Sequence, residues 1–251
     1  MSIKWNDQSC RWFEAASEYT GFNHLLAEIL KKYIPQGESL CDLGCGAGLI
    51  DLELGNYCSN ITCIDIAPAA IDCVRRGAKR RGIKNLHALY ANAFNFQVPH
   101  DTVMAFFFGD SQFYENFFHL TQKRLIVAVH RQRKGKFGPD GYQMIKRSDV
   151  DSTRAYLDNL GVKYEYEAVS LEYGQPLTDL DDARAFVRAY ARPMSDELLE
   201  YYLAKKLEKT AVQKWPYYLP NLKEFGLFVI QRSERKGKTL RKICVSEECY
   251  Q

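Results

Sequence analysis

The run Leu40-Cys41-Asp42-Leu43-Gly44-Cys45-Gly46-Ala47-Gly48 constrains this chain more than any other stretch. It reads as a short strand entering a glycine-rich turn, with a helix to follow. Glycines at such a turn let backbone N–H groups come close to a ligand. The helix start then offers its unpaired donors and the positive end of its dipole to a negative group. Asp65 follows one strand–helix–strand unit later, near the spacing of about 20 residues expected of a ribose-binding acid.

Two cofactor classes use this geometry. Dinucleotide sites want Gly-x-Gly-x-x-Gly, because the pyrophosphate needs that backbone path. Here the order is Gly44-x-Gly46-x-Gly48, preceded by Asp42. It resembles motif I of the class I S-adenosylmethionine (SAM) methyltransferases, Asp/Glu-x-Gly-x-Gly-x-Gly. The resemblance implies that the turn of Gly44, Cys45, Gly46 and Gly48 accommodates the methionine end of SAM, or of its product S-adenosylhomocysteine, while Asp42 helps order that end.

The likeness runs on along the chain. Asn60-Ile61-Thr62-Cys63-Ile64-Asp65-Ile66 resembles the second strand and its acid. The resemblance implies that Asp65 accepts both ribose hydroxyls through charge-assisted bonds and that Ile66 packs on the adenine. Leu86-His87-Ala88-Leu89-Tyr90 reads as a third strand, followed by Ala91-Asn92-Ala93-Phe94. The family commonly has an Asp-Ala-like pair there, reaching the adenine amino group. Asn92 departs from it, although an amide oxygen also accepts from that amine. Residues 102–109, with Phe108 at the cofactor, read as a fourth strand and 124–130 as a fifth. The resemblance covers residues 39–131.

Alternating strands and helices predict an α/β, doubly wound, Rossmann-like sheet. The resemblance implies seven strands, the last antiparallel beside the fifth, with N-terminal helices and a helical insertion before the last strand. Residues 1–37 form the leading helices, 38–232 the SAM-binding domain and 233–251 a polar tail. Within residues 8–34, apolar stripes predict two helices broken at Gly21, and Pro35-Gln36-Gly37 ends the second. In the resembled family such helices partly cover the cofactor, so Tyr19 could touch SAM or merely seal the sheet edge. A helix from Pro68 to near Gly82 carries a basic end, which complements its dipole. Residues 149–160 read as a helix, and 163–173 and 222–231 as strands. The insertion, 178–221, contains two predicted helices, 180–191 and 195–212, separated by Pro193. It reads as a cover over the substrate cleft or as a homodimer interface.

Composition sets broad limits. The chain has 251 residues, 46% of them apolar, and a formal net charge of +3. That charge is too small to imply nucleic acid by itself. No apolar run approaches the 18 or so residues of a membrane span, and the N-terminus lacks an apolar signal segment. A soluble cytoplasmic protein is the default expectation. Cys41, Cys63 and Cys73 read as buried apolar residues. Cys244 and Cys249, in the tail, fit no zinc spacing, so no metal is expected.

Ligands of open α/β sheets lie outside the carboxyl ends of the strands. Asp110 and His130 are therefore the candidate catalytic residues, with Asp110 also suited to cap the following helix. A base is needed only if the acceptor atom must lose a proton. No Asn/Asp-Pro-Pro-Tyr/Phe or Pro-Cys signature follows strand 4. What remains resembles the small-molecule methyltransferases. The alternatives are an RNA or protein methyltransferase, suggested by the basic residues of 131–136 and the tail, and a non-catalytic SAM-binding module. A nicotinamide oxidoreductase ranks behind these because the glycine spacing differs.

Overall fold

The computed structural model of the protein describes residues 4–133, 135, 137–146 and 148–232. Helix α1, Asp7–Thr20, begins at a capping box in which Asn6 and Ser9 exchange side-chain-to-backbone bonds. Gly21, at φ 66°, ends α1 and opens α2, Phe22–Leu30. This left-handed turn is the break that the periodicity predicts. There follow β1 (Ser39–Leu43), α3 (Leu49–Leu54), β2 (Asn60–Asp65), α4 (Pro68–Arg81), β3 (Leu86–Tyr90), β4 (His100–Phe106) and β5 (Thr121–His130). Pro68 stands in the first turn of α4, and Gly82 terminates the helix at φ 65°. The basic end of α4 is exposed but paired: Arg80 meets Glu14 of α1 at 2.6 Å and Arg81 meets Glu53 at 2.6 Å.

The second half adds α5 (Val150–Asn159), β6 (Glu165–Glu172), β7 (Gln175–Leu177), α6 (Leu180–Tyr190), α7 (Asp196–Lys206), β8 (Glu208–Lys209), β9 (Tyr217–Leu219) and β10 (Leu222–Gln231). Seven strands form one sheet in the order β3-β2-β1-β4-β5-β10-β6. The first five are parallel, and β10 runs antiparallel between β5 and β6. The order reverses between β1 and β4, which opens a crevice at the carboxyl ends of those strands. Both sheet faces are covered. Phe22, Leu26, Leu30, Ile50 and Leu54 pack on one; Tyr114, Phe117, Leu157 and Phe228 pack on the other. Burial on both faces explains why Leu40, Cys41 and Leu43 of β1 are all apolar.

Three boundaries differ from expectation. The fourth strand ends at Phe106, because Phe107 adopts φ 54° and turns the chain. Residues Ser111–Leu120 form a 3-10 helix that periodicity does not announce. The helix expected over 195–212 stops at Lys206, and Glu208–Lys209 instead joins a second small sheet, β7-β9-β8. This sheet and α6 pack onto α1. Asp182 accepts from Trp12 Nε1 at 2.9 Å and from Gln8 at 3.0 Å, and Gln175 donates to the Trp12 carbonyl. The tail, with Cys244 and Cys249, lies outside the described residues. Among the described residues, no helix is long and apolar enough to cross a membrane.

Candidate cofactor and acceptor site

The glycine turn is held by the protein's own acceptors. Gly44 N and Cys45 N both donate to the Ile64 carbonyl, at 2.8 and 3.0 Å. Gly46 N donates to Asp65 Oδ2 at 3.0 Å, and Gly48 N to the Cys45 carbonyl. Gly44, Gly46 and Gly48 all have positive φ, which explains their identity. With its donors engaged internally, the turn does not present the open row of N–H groups that a pyrophosphate needs. Gly48 serves packing as well, since a Cβ there would lie 2.7 Å from Val74 of α4.

A cavity of about 90 Å³ opens beside the turn. Gly44, Ile64, Asp65, Ile66, Ala91, Asn92, Ala93, Phe94 and Phe108 line it. Asp65 sits at the end of β2 and is locked by its bonds to Gly46 N and Ala67 N. Burial raises its carboxyl above the ordinary value, while those backbone donors pull the other way. Ile66, beside it, is 60% exposed, an apolar platform with no protein cover. Asn92 Oδ1 accepts from Phe94 N and shapes the far wall. Two rings close on the turn itself: a Cβ at Gly44 would lie 2.2 Å from Phe108, and one at Gly46 would lie 2.5 Å from Trp5.

Asp42 is placed otherwise than the resemblance implies. It lies buried beneath the turn, 2% exposed, and does not line the cavity. Its neighbour is Asp51 of α3, also fully buried. Asp42 Oδ1 and both Asp51 oxygens accept no bond from a neighbouring donor. The pair is therefore satisfied only when one carboxyl carries a proton and donates to the other. Burial, reinforced by the Asp51 charge, holds Asp42 well above the usual carboxylate range, so Asp42 keeps that proton. Tyr19 is also away from the cavity, stacked on Tyr218 at 4.7 Å between ring centroids. Cys45 is half-buried, and burial pushes its thiol up to about 12.

The strand ends on the other side of the crevice carry the two catalytic candidates. Asp110 occupies the cap position of the 3-10 helix, yet its side chain makes no capping bond. Its Oδ1 instead accepts the hydroxyls of Ser111 and Ser148, at 3.3 and 3.2 Å, and so ties the loop before α5 to the end of β4. His130 ends β5 with its ring 4.6 Å from that of Phe107. Burial, together with the charges of Lys223 and Lys146, pushes its imidazole down to about 2. The imidazole is therefore neutral near pH 7.

Residues 40–132 match the family model described as a methyltransferase domain. Residues 40–132 thus carry a methyltransferase domain, of the class I S-adenosylmethionine-dependent kind. No curated protein sequence matches it. Solved structures align over most of its length. Magnesium protoporphyrin IX methyltransferase from Synechocystis PCC 6803, with S-adenosylhomocysteine bound, aligns at TM-score 0.53 and 11% identity, covering 92% of this chain and 90% of that one. The YcgJ protein of Bacillus subtilis aligns at TM-score 0.52 and 13% identity, over 84% and 98%. A putative methyltransferase from Bacillus halodurans C-125 aligns at TM-score 0.51 and 11% identity, over 82% and 97%. At these identities the neighbours establish the fold.

The cavity fits the methyltransferase's cofactor, SAM, in two respects. A fixed carboxylate, Asp65, stands beside an uncovered isoleucine, which matches a polar ribose next to a flat purine. The internally satisfied turn suits an amino-acid tail without phosphate. Sequence reasoning missed Trp5 and Asp51. Trp5 carried a signal, a tryptophan ahead of the first helix cap, but no motif joins it to Gly46. Asp51 stood in plain view between Ile50 and Leu52, two buried apolar residues of α3.

The buried carboxyl pair makes the methyltransferase sensitive to pH. Burial is the main cause that raises Asp51, to about 7, with the proton on Asp42 and the nearby Cys63 thiol pulling the other way. A carboxyl raised on folding contributes stability that is complete below its unfolded value, near 3.8, and lost as pH rises through the folded value. Asp51→Asn removes this loss. At pH 8 the variant should melt about 3 °C or more above wild type, a shift worth roughly 1 kcal/mol. At pH 5, nearer the unfolded value, the gap should be clearly smaller. Parallel melting curves at both pH values in scanning fluorimetry would disprove the shared proton.

Proposed function

We propose that this methyltransferase passes the SAM methyl group to a small-molecule acceptor at the carboxyl ends of β4 and β5. The observation that supports this reading is a continuous line of rings from the glycine turn towards those strand ends, which Phe107 reaches through Phe225. Trp5, on Gly46, meets Phe13 at 4.9 Å; Phe13 meets Tyr173 at 6.4 Å; Tyr173 meets Phe22 at 4.2 Å. Helix α1, with the cover docked on it, lies above this line. An aromatic wall beneath a helical cover suits a compact, flat acceptor. The basic stretch after β5 offers little to a polyanion, since Arg131 pairs with Glu224 and Arg133 with Asp149. Lys134 and Lys136 lie outside the described residues.

The residues proposed to hold the cofactor are Asp65 at the ribose, Ile66, Asn92 and Ala93 at the adenine, and Gly44, Cys45, Gly46 and Phe108 at the methionine end. Bound SAM supplies a methyl group already activated on a sulfonium. The chain's part is then to orient the acceptor atom at about 3–3.5 Å and to exclude water. Phe108 and Trp5 exclude water from the turn. Asp110 acts as a positioning residue through Ser111 and Ser148, and the neutral His130 presents an imidazole face rather than a base. Such a site suits an acceptor atom that needs no proton removed by the enzyme.

The test is the fate of labelled methyl groups. Protein incubated with methyl-labelled SAM and a whole-cell extract should place label in the low-molecular-weight fraction. Label confined to acid-precipitable RNA or protein would overturn the small-molecule assignment.

A further inference from the structure

Strand β10 runs against β5, so its first residues overhang the carboxyl end of the parallel strands. Phe225 pairs with His130, and Lys223 lies two residues further out on the same face. The Lys223 side chain is half-buried as a whole, and its ammonium is enclosed by rings. Nζ lies 3.8 Å from the centroid of Phe107, 4.8 Å from that of Tyr173 and 5.1 Å from that of Phe22. Phe22 belongs to the core, and Phe107, directly after β4, and Tyr173 are half-buried against it. Phe107 is also the described non-glycine residue at positive φ, so a strained backbone places its ring under the amine.

No carboxylate among the described residues pairs with Lys223. The neighbouring charge is a second cation, Lys146, itself depressed by burial, and the third basic group, His130, is uncharged. Burial first, then the Lys146 charge, pushes Lys223 down to about 7. The Lys146 charge thus acts on an amine held among rings, and among the described residues no acid pairs with either lysine. The structure leaves their field uncompensated, and a buried charge without a counter-charge is costly. A cationic acceptor is disfavoured, because the aromatic cage already contains a cation.

We infer that Lys223 and Lys146, beside the ring of His130, form an anion-binding subsite that holds the carboxylate or phosphate group of a flat acceptor at the ends of β4 and β5. The inference rests on the small-molecule reading above and deepens it. An anion bound there recovers the repulsion between the two amines, and the rings of Phe107, Tyr173 and Phe22 pack on the apolar body to which it is attached. Lys223 is in this sense a specificity-determining residue. It selects acceptors by charge and fixes which end points at the cofactor.

The test uses the whole protein saturated with S-adenosylhomocysteine and three probes of similar shape: benzoate, phenyl phosphate and benzamide. In calorimetric titrations at least one anion should bind about tenfold or more tighter than neutral benzamide, as a hydrogen bond to a charged group implies. Preference between benzoate and phenyl phosphate tells carboxylate from phosphate. Lys223→Met should weaken the preferred anion about tenfold or more while leaving S-adenosylhomocysteine affinity intact, and Lys223→Arg should restore part of it. Lys146→Met should weaken it in the same direction. Benzamide binding as tightly as both anions, no detectable anion binding, or Lys223→Met binding anions like wild type would each overturn the subsite. Failure of wild-type protein to bind S-adenosylhomocysteine overturns the cofactor assignment instead, and the three probes titrated without it still judge Lys223.

Discussion

Asp65→Ala should weaken binding of S-adenosylhomocysteine by about 100-fold or more. In the proposed role the carboxylate accepts two ribose hydroxyls, and each hydrogen bond to a charged group is worth about 1.5–3 kcal/mol. At about 1.4 kcal/mol per factor of ten, even the lower figure for both bonds reaches that range. The substitution also frees Gly46 N and Ala67 N, which Asp65 now holds at 3.0 and 2.8 Å. The turn loses its tether together with the ribose ligand, so the loss should exceed that of Asp65→Asn, which keeps one acceptor. Calorimetry on the two variants checks this order. Wild-type affinity in Asp65→Ala would remove the ribose role and leave the cavity beside Ile66 without its assigned ligand.

Arg124→Met should lower stability by about 3–5 kcal/mol, the usual cost of stripping one partner from a buried ion pair. At roughly 2–4 °C per kcal/mol, the melting temperature should fall by about 10 °C. Glu38 and Arg124 are 7% and 8% exposed and bond through both guanidinium nitrogens of the fork. Thr102 joins them, accepting from Arg124 Nη1 at 2.8 Å. Burial works against the Glu38 charge, yet Arg124 and Lys123 hold its carboxyl below the usual value. The cluster sits at the amino ends of β1, β4 and β5, opposite the cofactor crevice. Its loss should therefore leave S-adenosylhomocysteine affinity unchanged in the folded fraction. Replacing both partners, Glu38→Leu with Arg124→Met, should recover much of the stability, because no charge is then stranded. Urea denaturation that leaves the single variant as stable as wild type would show the pair to be ornamental.

The two ends of one sheet thus carry different kinds of polar group. At the amino ends each charge has its opposite, Glu38 with Arg124 and Lys123. At the carboxyl ends Asp65 keeps open lone pairs, Ile66 lacks cover, and Lys223 and Lys146 pair with no acid among the described residues. Unmatched groups persist where a ligand completes them, which is why the carboxyl ends read as the working face.

The local features of this chain were legible in order along the sequence. Gly21 breaks the leading helices, Pro68 and Gly82 bound α4, and Phe225 to Ile230 form a strand buried on both faces. Each follows from φ preferences or from the period of apolar residues, which act within a few positions. The glycine order Gly44-x-Gly46-x-Gly48 and the placement of Asp65 likewise resolved into a single turn tied by one hydrogen bond. Where reasoning failed, a distant partner decided. Asp42 lies under the turn because Asp51 waits there to share its proton. Asp110 bonds to Ser148 rather than capping its own helix. His130 is kept neutral by burial and by lysines 16 and 93 residues further along the chain. The sequence alone determined the turn and the elements that flank it, because those depend on backbone geometry set by neighbouring residues; the strand order and the class of cofactor followed from the family resemblance. Only the tertiary structure decided which side chains face the acceptor and in what charge state, because desolvation and Coulomb energy depend on groups that folding brings together.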